Sequence, residues 1–351
     1  MNKSEGKSEA YKQAGVDIDL ATKLLASVKS RISATRTPQV LAPIGGFGGL
    51  YRIDLARWKH PVMVVSVDGV GTKLMIAAMM EKYDTVGHDI VNHCINDIAV
   101  QGATPVYFMD YIGIGKMRSP LYEDVLSGCA EACKAEGVCL IGGESAEMPG
   151  MYGNDFDLVG CITGIVEEDQ IITGEHIAPG HVAIGIASSG LQTNGFSLAR
   201  KVLFEQAGYN VHTTLPELDG MTVGDALLVP HRCFWGAVRR ALEARFPLHG
   251  IAHITGGGLY DNVPRILPDG VGVHFDASAI AHVPPIFRII EREGKINPYE
   301  MYRVFNMGVG MVWFVPAADA EEGLRLIRDA GFDASVVGEV VPGNRTVEIS
   351  L

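Results

Sequence analysis

One apolar run that ends in a charged, glycine-rich turn does most to limit the folds open to this chain of 351 residues. Residues 62–67 have the composition of a buried strand, and residues 68–73 follow with the sequence Asp-Gly-Val-Gly-Thr-Lys. Glycines at a strand end let backbone N–H groups approach phosphate oxygens, while a lysine neutralises charge and an aspartate can hold a divalent cation. The segment therefore predicts an anion and metal site. A purely structural turn from strand to helix is the alternative.

Short β-rich runs alternate with helical periodicity, which predicts an α/β (α+β) architecture. The predicted strands are residues 62–67, 106–112, 139–141, 158–166, 181–187, 251–255, 309–315 and 334–341. The predicted helices are residues 89–101, 121–136, 196–207, 259–266 and 317–330. The chain is longer than one hydrophobic core usually supports, and a polar stretch interrupts the pattern near Thr173. We therefore expect an N-terminal domain of residues 1–173 and a C-terminal domain of residues 174–351.

The formal net charge of −12 argues against two classes of partner, because neither a nucleic-acid backbone nor an anionic membrane attracts a strongly acidic surface. The six cysteines show no paired CxxC spacing and most lie in apolar runs, which favours buried free thiols in a reducing compartment. No run approaches the length of a membrane span, and the polar first residues do not resemble a signal peptide. We therefore expect a cytoplasmic protein that binds neither nucleic acid nor membrane.

Three carboxylates stand beside glycine or asparagine at predicted element ends, and we interpret them as one metal cluster. They are Asp68, Asp97 and Glu144. On the predicted helix, Asp97 lies four residues after His93, so the two side chains share a face. Magnesium prefers such hard oxygen ligands together with nucleotide phosphates. The alternative is that Asp97 caps local backbone and Glu144 faces solvent.

Two further glycine-rich segments are candidates for phosphate contacts. Residues 45–49 form a flexible loop with one aromatic side chain, suited to closing over bound phosphates, and they match neither GxGxxG nor GxxxxGK[ST]. Residues 256–258 open a predicted helix, where free N–H groups favour an anion, although a structural turn fits equally well. Residues 190–195 compete with them for a substrate phosphate. Among the eleven histidines, only His253 lies where a reactive group would be presented.

Nine strings of residues, in order over nearly the whole chain, together resemble one family. They are residues 11–19, 45–49, 68–73, 96–97, 142–152, 188–190, 194–198, 253–258 and 305–311. The family they resemble is phosphoribosylformylglycinamidine cyclo-ligase, or AIR synthetase. Residues 147–152, Glu-Met-Pro-Gly-Met-Tyr, are the most specific string, because related ATP-using families share the carboxylate positions but not this sequence.

The resemblance implies a two-domain, AIR-synthetase-like fold. Its β-rich N-terminal domain is expected to form a β-barrel shared by the two subunits of a homodimer, and its C-terminal α/β domain to close the cleft. ATP and Mg²⁺ are the implied cofactors. In the implied reaction of purine biosynthesis, ATP activates the formyl oxygen of formylglycinamidine ribonucleotide as a phosphorylated imidate. A substrate nitrogen then closes the ring of 5-aminoimidazole ribonucleotide, with release of ADP and phosphate.

The same resemblance implies roles for individual residues. Those expected in catalysis are Lys29, Lys73, Gln192 and His253. Those expected to contact ATP are Gly45, Gly46, Phe47, Gly48, Gly49, Asp68, Gly71, Thr72 and Asp97. Those expected to contact substrate are Asn194, Gly256, Gly257 and Gly258, and the expected Mg²⁺ ligands are Asp68, Asp97 and Glu144. The lysines would stabilise charge on the transferring phosphoryl group, and the glycine loop would exclude water.

One departure from the family pattern bears on catalysis. The family usually shows histidine where this chain has Gln192, and glutamine does not titrate near neutral pH. Asn92 and His93 also replace small or apolar residues that are common in the family. Two other hypotheses therefore stay open: a catalytically weakened paralogue that binds nucleotide, and a sibling enzyme of the same fold. The siblings are thiamine-monophosphate kinase, selenophosphate synthetase and a formylglycinamidine synthetase domain, and residues 147–152 favour the cyclo-ligase over them.

Overall fold

A computed structural model describes residues 9–351 of the chain. In the first half the elements are α1 (Glu9–Gln13), α2 (Ile18–Ser33), β1 (Pro61–Gly69), α3 (Lys73–Met80), α4 (Asp84–Ala99), β2 (Thr104–Ile114), α5 (Leu121–Ala135), β3 (Cys139–Glu147) and β4 (Phe156–Glu167). They form a four-stranded sheet in the order β1-β4-β2-β3. Strand β4 pairs antiparallel with β1 and β2, while β2 and β3 are parallel.

The second half forms a separate six-stranded sheet in the order β10-β7-β9-β5-β8-β6. Its strands are β5 (His181–Ala187), β6 (Gly250–His253), β7 (Val271–Asp276), β8 (Val309–Pro316), β9 (Ala334–Pro342) and β10 (Val347–Ser350). Its helices are α6 (Phe196–Arg200), α7 (Val223–Leu228), α8 (Trp235–Glu243), α9 (Gly258–Asn262), α10 (Pro285–Gly294), α11 (Pro298–Val304) and α12 (Ala320–Asp329). Mixed helices and sheets confirm the predicted α/β (α+β) class.

Helix α2 is amphipathic, and this pattern fixes it against α5, one of the helices beside the first sheet. Asp17 caps the helix by accepting a hydrogen bond from the N–H of Leu20 at 3.0 Å. Leu24, Val28 and Ile32 recur every fourth residue and are buried, so this stripe packs on α5 while the opposite face stays in water.

Three predicted elements differ in type or extent from those observed. The helix expected at residues 196–207 is an α-helix only to Arg200 and continues as a π-helix over Lys201–Gln206. Strand β3 does not end at residue 141 but continues to Glu147, because it pairs with β2 as far as Ile114. The helix expected at residues 259–266 is shorter, since α9 ends at Asn262 and Pro264 lies in a 3₁₀ turn that follows. Proline lacks the N–H that a continued α-helix needs.

A buried lysine joins the two halves of the chain. Lys73 is fully buried, and its ammonium lies 2.8 Å from Oδ2 of Asp89 in α4. The same ammonium donates to the carbonyl oxygens of Gln192 at 3.0 Å and Val229 at 2.8 Å, both in the second half. Burial lowers the pKa of Lys73 and raises that of Asp89, and their mutual contact opposes both shifts. The N–H of His231, which donates to Asp89, also opposes the shift of the carboxyl. The contacts of Lys73 fix the start of α3 and α4 beside the second half.

The face of β1 that points away from the helices is apolar and uncovered. Met63, Val65 and Val67 alternate along the strand and are 51%, 59% and 66% exposed. Successive side chains of a strand point to opposite faces, so one register places all three on the same side of the sheet. The six cysteines, all among the described residues, are free thiols. Over residues 9–351, none of the helices has both the length and the apolar character needed to cross a bilayer.

Candidate active site

Two carboxylates and a histidine meet where β1 ends beside α4. Asp68, near the end of β1, places Oδ2 3.0 Å from Nε2 of His93. Asp97 lies one helical turn after His93, and its Oδ2 is 3.6 Å from the same nitrogen. The shared helix face predicted for His93 and Asp97 is therefore present. One oxygen of each carboxylate therefore lies within 3.6 Å of the same ring nitrogen of His93.

Two further histidines, both from the second half, extend this group. His253, at the end of β6, directs Nδ1 to Oδ1 of Asp97 at 2.8 Å. Its Nε2 is 3.0 Å from Nε2 of His231, which lies in the loop between α7 and α8. Oγ1 of Thr193 is 2.7 Å from Nδ1 of His93 and 3.2 Å from Nδ1 of His231. We call His93, His231 and His253 the histidine cluster.

The carboxylates and histidines of this site shift one another's pKa. Burial alone would lower the pKa of His93, but its hydrogen bond to Asp68 and the charge of Asp97 outweigh burial and raise it. Burial alone would raise the pKa of Asp68, but the hydrogen bond and charge of His93 hold it below its ordinary value. Burial would also raise the pKa of Asp97, but the hydrogen bond and charge of His253, the charge of His93 and the hydrogen bond from Ser66 together lower it.

The two deeper rings respond in the opposite direction. Burial lowers the pKa of His253 in spite of its bond to Asp97. Burial, together with the neighbouring rings of His253 and His93, lowers the pKa of His231 well below its ordinary value. Near neutral pH, His93 is therefore the ring of the cluster that most readily carries charge, and His231 is neutral.

Gln192 is part of the same buried network. Its backbone has a φ of 63°, and its Nε2 lies 3.1 Å from Nε2 of His231. The backbone carbonyl accepts the hydrogen bond from Lys73 described above. The glutamine side chain is thus placed to position His231 by a hydrogen bond, and it does not itself titrate.

Glu144 lies apart from Asp68 and Asp97, so the single three-carboxylate cluster expected from the sequence is not present. Glu144 lies within β3, next to Gly143, which aligns with Asp110 of β2. Both Asp110 and Asp68 align with Gly160 of the intervening strand β4. Asp68 and Gly143 are therefore three strands apart, roughly 14 Å at the usual strand spacing. The sequence predicts that the strand ends at residue 141, before Glu144, whereas pairing with β2 carries β3 on to Glu147.

Glu144 instead lines a cavity of about 370 Å³ between α2, α5 and β3. The cavity also contains Asp110, Glu147 and Ile44, the residue that precedes the glycine loop. Burial raises the pKa of Asp110 to about 7, with a further contribution from the charge of Glu144. This carboxyl is held close to half-protonated at neutral pH, in contrast to Asp68.

The lysines expected at the phosphoryl group have different surroundings. Lys73 is buried and bonded to Asp89 and two carbonyl groups, as described above. Lys29 is exposed on α2 and forms no hydrogen bond or ion pair with the other residues in the range 9–351. Neither ammonium contacts Asp68, Asp97 or the histidine cluster.

The glycine-rich segments fall in two places. Residues 45–49 form an exposed loop, and the side chain of Phe47 in it is fully exposed. Gly71 and Thr72 lead from β1 into α3, and Oγ1 of Thr72 lies 3.2 Å from Oγ of Ser197. In the second half, a Cβ at Gly256 would lie 3.1 Å from Oδ1 of Asn194. The two turns that compete for a phosphate, residues 190–195 and 256–258, are therefore neighbours.

A second cavity, of about 540 Å³, reaches the histidine cluster at His253. Asp97, His253 and Thr255 line it, together with Ser66, whose Oγ donates to Oδ2 of Asp97 at 3.1 Å. An ion or small substrate in this cavity would reach the Asp97–His253 pair.

Sequence reasoning missed His231 and Asp110. His231 is a single histidine in a loop with no periodic neighbours, so nothing local distinguishes it from a surface residue. Asp110 did offer a signal, because it is one acidic residue inside the apolar strand predicted at residues 106–112.

Comparison with known proteins defines the class to which this fold and site belong. The family model of the AIR synthase related protein matches in two parts, its N-terminal domain over residues 51–166 and its C-terminal domain over residues 178–350. The chain therefore belongs to the AIR synthase related family.

Several curated relatives carry the name phosphoribosylformylglycinamidine cyclo-ligase. A phosphoribosylformylglycinamidine cyclo-ligase of Bifidobacterium animalis subsp. lactis is 46% identical over 95% of this chain and 96% of the relative. The protein of the same name from Shouchella clausii is 46% identical over 97% of this chain and 98% of the relative.

Solved structures with the same fold are more distant in sequence. Thiamine-monophosphate kinase from Stenotrophomonas maltophilia K279a has a TM-score of 0.67 at 18% identity, covering 92% of this chain and 96% of the kinase. The hydrogenase maturation protein HypE in complex with ATP has a TM-score of 0.64 at 16% identity, covering 99% of this chain and 92% of HypE. These likenesses establish the two-domain AIR-synthetase-like fold.

Proposed function

We propose that this protein is a phosphoribosylformylglycinamidine cyclo-ligase. It uses ATP to close the ring of 5-aminoimidazole ribonucleotide from formylglycinamidine ribonucleotide, releasing ADP and phosphate in de novo purine biosynthesis. The observation that carries this proposal is 46% identity over 95% of the chain to a curated enzyme of that name. At that identity over nearly the full length, a change of reaction would have to come from individual site residues.

Mg²⁺ is part of the proposal, and the carboxylate pair fits it. Asp68 and Asp97 approach the same nitrogen of His93, at 3.0 and 3.6 Å, so their oxygens can meet at one ion. Such an ion would neutralise the phosphates of ATP. Glu144, in the other cavity, does not belong to this ligand pair. HypE, which shares the fold, has been solved with ATP, and this supports nucleotide binding here.

The roles of the remaining residues follow from their contacts. His253 is the proton donor or acceptor nearest the cavity, since its Nδ1 binds Asp97 and its Nε2 binds His231. Gln192 and Lys73 position this group from within the protein rather than by contact with substrate. The adjacent turns at Asn194 and at residues 256–258 would hold the ribose phosphate. The exposed glycine loop, residues 45–49, would close over ATP.

We further propose a cytoplasmic homodimer of two-domain subunits, with the domains at residues 1–173 and 174–351. The uncovered apolar face of β1, with Met63, Val65 and Val67, supports pairing with a second copy, because burying it would remove a contiguous apolar strip from water. Closing two four-stranded sheets against each other would give the shared barrel. Sedimentation should then report a dimer, and a Val65→Glu variant a monomer.

Product formation tests the reaction directly. Purified protein with ATP and Mg²⁺ should release ADP only when formylglycinamidine ribonucleotide is added, matched one for one by aminoimidazole ribonucleotide. ADP release that does not depend on this substrate, or phosphate transfer to thiamine monophosphate, would contradict the proposal and favour a sibling enzyme.

Gln192 separates the cyclo-ligase from a weakened paralogue. Because Gln192 already forms a hydrogen bond to His231, we expect the wild-type chain to turn over without a histidine at this position. ATP binding without turnover in the wild type, together with turnover in Gln192→His, would instead assign the protein as the weakened paralogue.

A further inference from the structure

The ion site beside β1 contains nitrogen as well as oxygen ligands. His93, Asp97 and His253 each offer one ligand atom, and these atoms all lie within 4.8 Å of one another. Magnesium takes oxygen ligands almost exclusively, whereas imidazole suits zinc and other first-row transition metals. The donor set of this chain therefore differs from the one that its two carboxylates alone would provide.

The spacing of the ligand atoms fits a small tetrahedral ion. With metal–ligand bonds of about 2.0–2.1 Å, the ligands of a tetrahedral zinc lie roughly 3.3 Å from one another. Here His253 Nδ1 lies 2.8 Å from Oδ1 of Asp97, and His93 Nε2 lies 3.6 Å from its Oδ2. Oδ2 of Asp68, 3.0 Å from His93 Nε2, is placed to be the fourth ligand. These three distances lie within roughly 0.5 Å of the tetrahedral value, with Asp97 offering Oδ1 to His253 and Oδ2 to His93.

The outer nitrogens of both rings are already held, as is usual for histidines that bind metal. Nδ1 of His93 lies 2.7 Å from Oγ1 of Thr193, and Nε2 of His253 lies 3.0 Å from Nε2 of His231. These contacts fix the ring planes, so the inner nitrogens face the carboxylates without further reorganisation. The cavity at Asp97 and His253 provides an entry path.

We propose that His93, Asp97 and His253, with Asp68 as fourth ligand, form a binding site for a divalent transition metal such as zinc. Zinc binding here goes beyond the proposed reaction, because it requires neither ATP nor substrate, but the site shares Asp68 and Asp97 with the proposed Mg²⁺ site, so zinc and Mg²⁺ would compete for these two carboxylates. Its distinctive ligand is His93, which replaces a small or apolar residue common in the family.

Metal titration without nucleotide tests the site. Metal-free protein is titrated with Zn²⁺ by calorimetry and with Co²⁺ by visible absorption, both in excess Mg²⁺. We expect one ion per chain, a Co²⁺ spectrum of four-coordinate intensity, and no displacement by Mg²⁺. Replacing His93 by leucine should weaken binding by more than the roughly 10- to 100-fold that loss of an outer hydrogen-bond partner costs.

The chain offers a matched control at its surface. A second group of histidine rings surrounds His249, whose ring centroid is 5.8 Å from that of His176 and 4.8 Å from that of His181. Surface histidines of this kind can also capture zinc. A His249→Ala variant should bind the metal as the wild type does. Loss of binding in His249→Ala, equal binding in His93→Leu, or no binding by the wild type in excess Mg²⁺ would each overturn the proposal.

A second measurement guards against misfolding of the His93 variant. Crystals of the wild type grown with Zn²⁺ should show an anomalous peak between His93, Asp97 and His253. A peak only at His249 or at crystal contacts would overturn the assignment. Absence of ADP release in the same preparation would count against the proposed reaction alone.

Discussion

Asp68 and Asp110 occupy equivalent places in the first sheet but have opposite electrostatic properties. Both align with Gly160 of β4, one on each flanking strand, and they lie roughly 10 Å apart by strand spacing. The pKa of Asp68 is lowered, because His93 outweighs the effect of burial. Within residues 9–351, no cationic side chain pairs with Asp110, and burial raises its pKa to about 7. The sheet determines where each carboxyl lies, while the helix packed against it determines its charge.

This difference separates the two cavities by function. The Asp68 side, with Asp97 and the histidine cluster, holds ionised carboxylates suited to a cation and its phosphates. The Asp110 side, with Glu144 and the hydrophobic wall of α2 and α5, holds a carboxyl that can donate or accept a proton near neutral pH. One sheet thus presents a carboxyl with a lowered pKa and a carboxyl with a raised pKa on the two strands that flank Gly160.

The largest effect is expected on turnover, when the ionised carboxylate of Asp97 is removed. Asp97→Ala removes the carboxylate shared by His93 and His253, and we expect turnover to fall by about 10²–10³-fold, the usual cost of losing one electrostatic contact at a reacting centre. Steady-state product formation measures it, with thermal unfolding as a check on folding. The exposed Asp169→Ala serves as the control. Undiminished turnover in a folded Asp97→Ala protein would remove Asp97 from the active site.

A pH-dependent effect on stability is expected at Asp110. A carboxyl whose folded pKa is raised from 3.8 to about 7 binds its proton more tightly in the folded state, so it reduces stability as pH rises between these values. Asp110→Asn cannot ionise. Relative to wild type, its free energy of unfolding should therefore improve by roughly 3 kcal/mol between pH 5 and pH 8, at about 1.4 kcal/mol per pH unit up to the folded pKa.

Urea denaturation at the two pH values measures this difference. Asp169→Asn, on the exposed turn after β4, should show no such trend. An equal pH dependence in wild type and Asp110→Asn would mean that Asp110 is already ionised or solvated in the folded protein.

Gly160 lies between Asp68 and Asp110 in the sheet, and a side chain at this position should disturb the packing beside both aspartates. A Cβ at Gly160 would lie 2.7 Å from Cγ1 of Ile90 and would also overlap the ring of Phe108. Such overpacking of a buried face costs about 1–3 kcal/mol, so Gly160→Ala should lower the free energy of unfolding by that amount. In β3, Gly142→Ala is the matched control, since its Cβ would have no neighbour within 4 Å. Equal stability of the two variants would show that Gly160 of β4 is loosely packed against Ile90 and Phe108.

Local pattern was enough to predict the framework of this comparison but not its charges. The strand at residues 181–187 coincides with β5, and the run at residues 62–67 lies inside β1, because alternation and glycine-bounded apolar runs are local signals. The contact of His253 with His231 joins residues from β6 and a loop, which no periodicity links. Glu144 was misplaced for a similar reason: the length of β3 is set by its pairing with β2, not by its own sequence.

The smallest expected effect tests the ion pair that makes Asp68 unlike Asp110. In His93→Leu, only the hydrogen bond from the N–H of Gly69 still opposes the effect of burial on Asp68, so the pKa of Asp68 should rise toward that of Asp110. His93, with a folded pKa above 6.5, stabilises the fold below that value and loses its contribution as pH rises through the folded pKa. Asp68, with a folded pKa below 3.8, contributes above 3.8 and loses its contribution as pH falls.

The two contributions overlap between pH 3.8 and 6.5, and the metal-free variant should lose most stability there. Because Asp68 is 43% exposed, water screens the pair, and we expect a loss of only about 1 kcal/mol or less relative to the same variant at pH 9. Urea denaturation across this pH range measures the loss. The control is His88→Leu, which removes another histidine of α4, half-buried and paired with Glu131 of α5. A loss that stays constant from pH 5 to pH 9 would mean that His93 stabilises the protein by packing alone. The contrast between the two aspartates would then have to come from differences in burial.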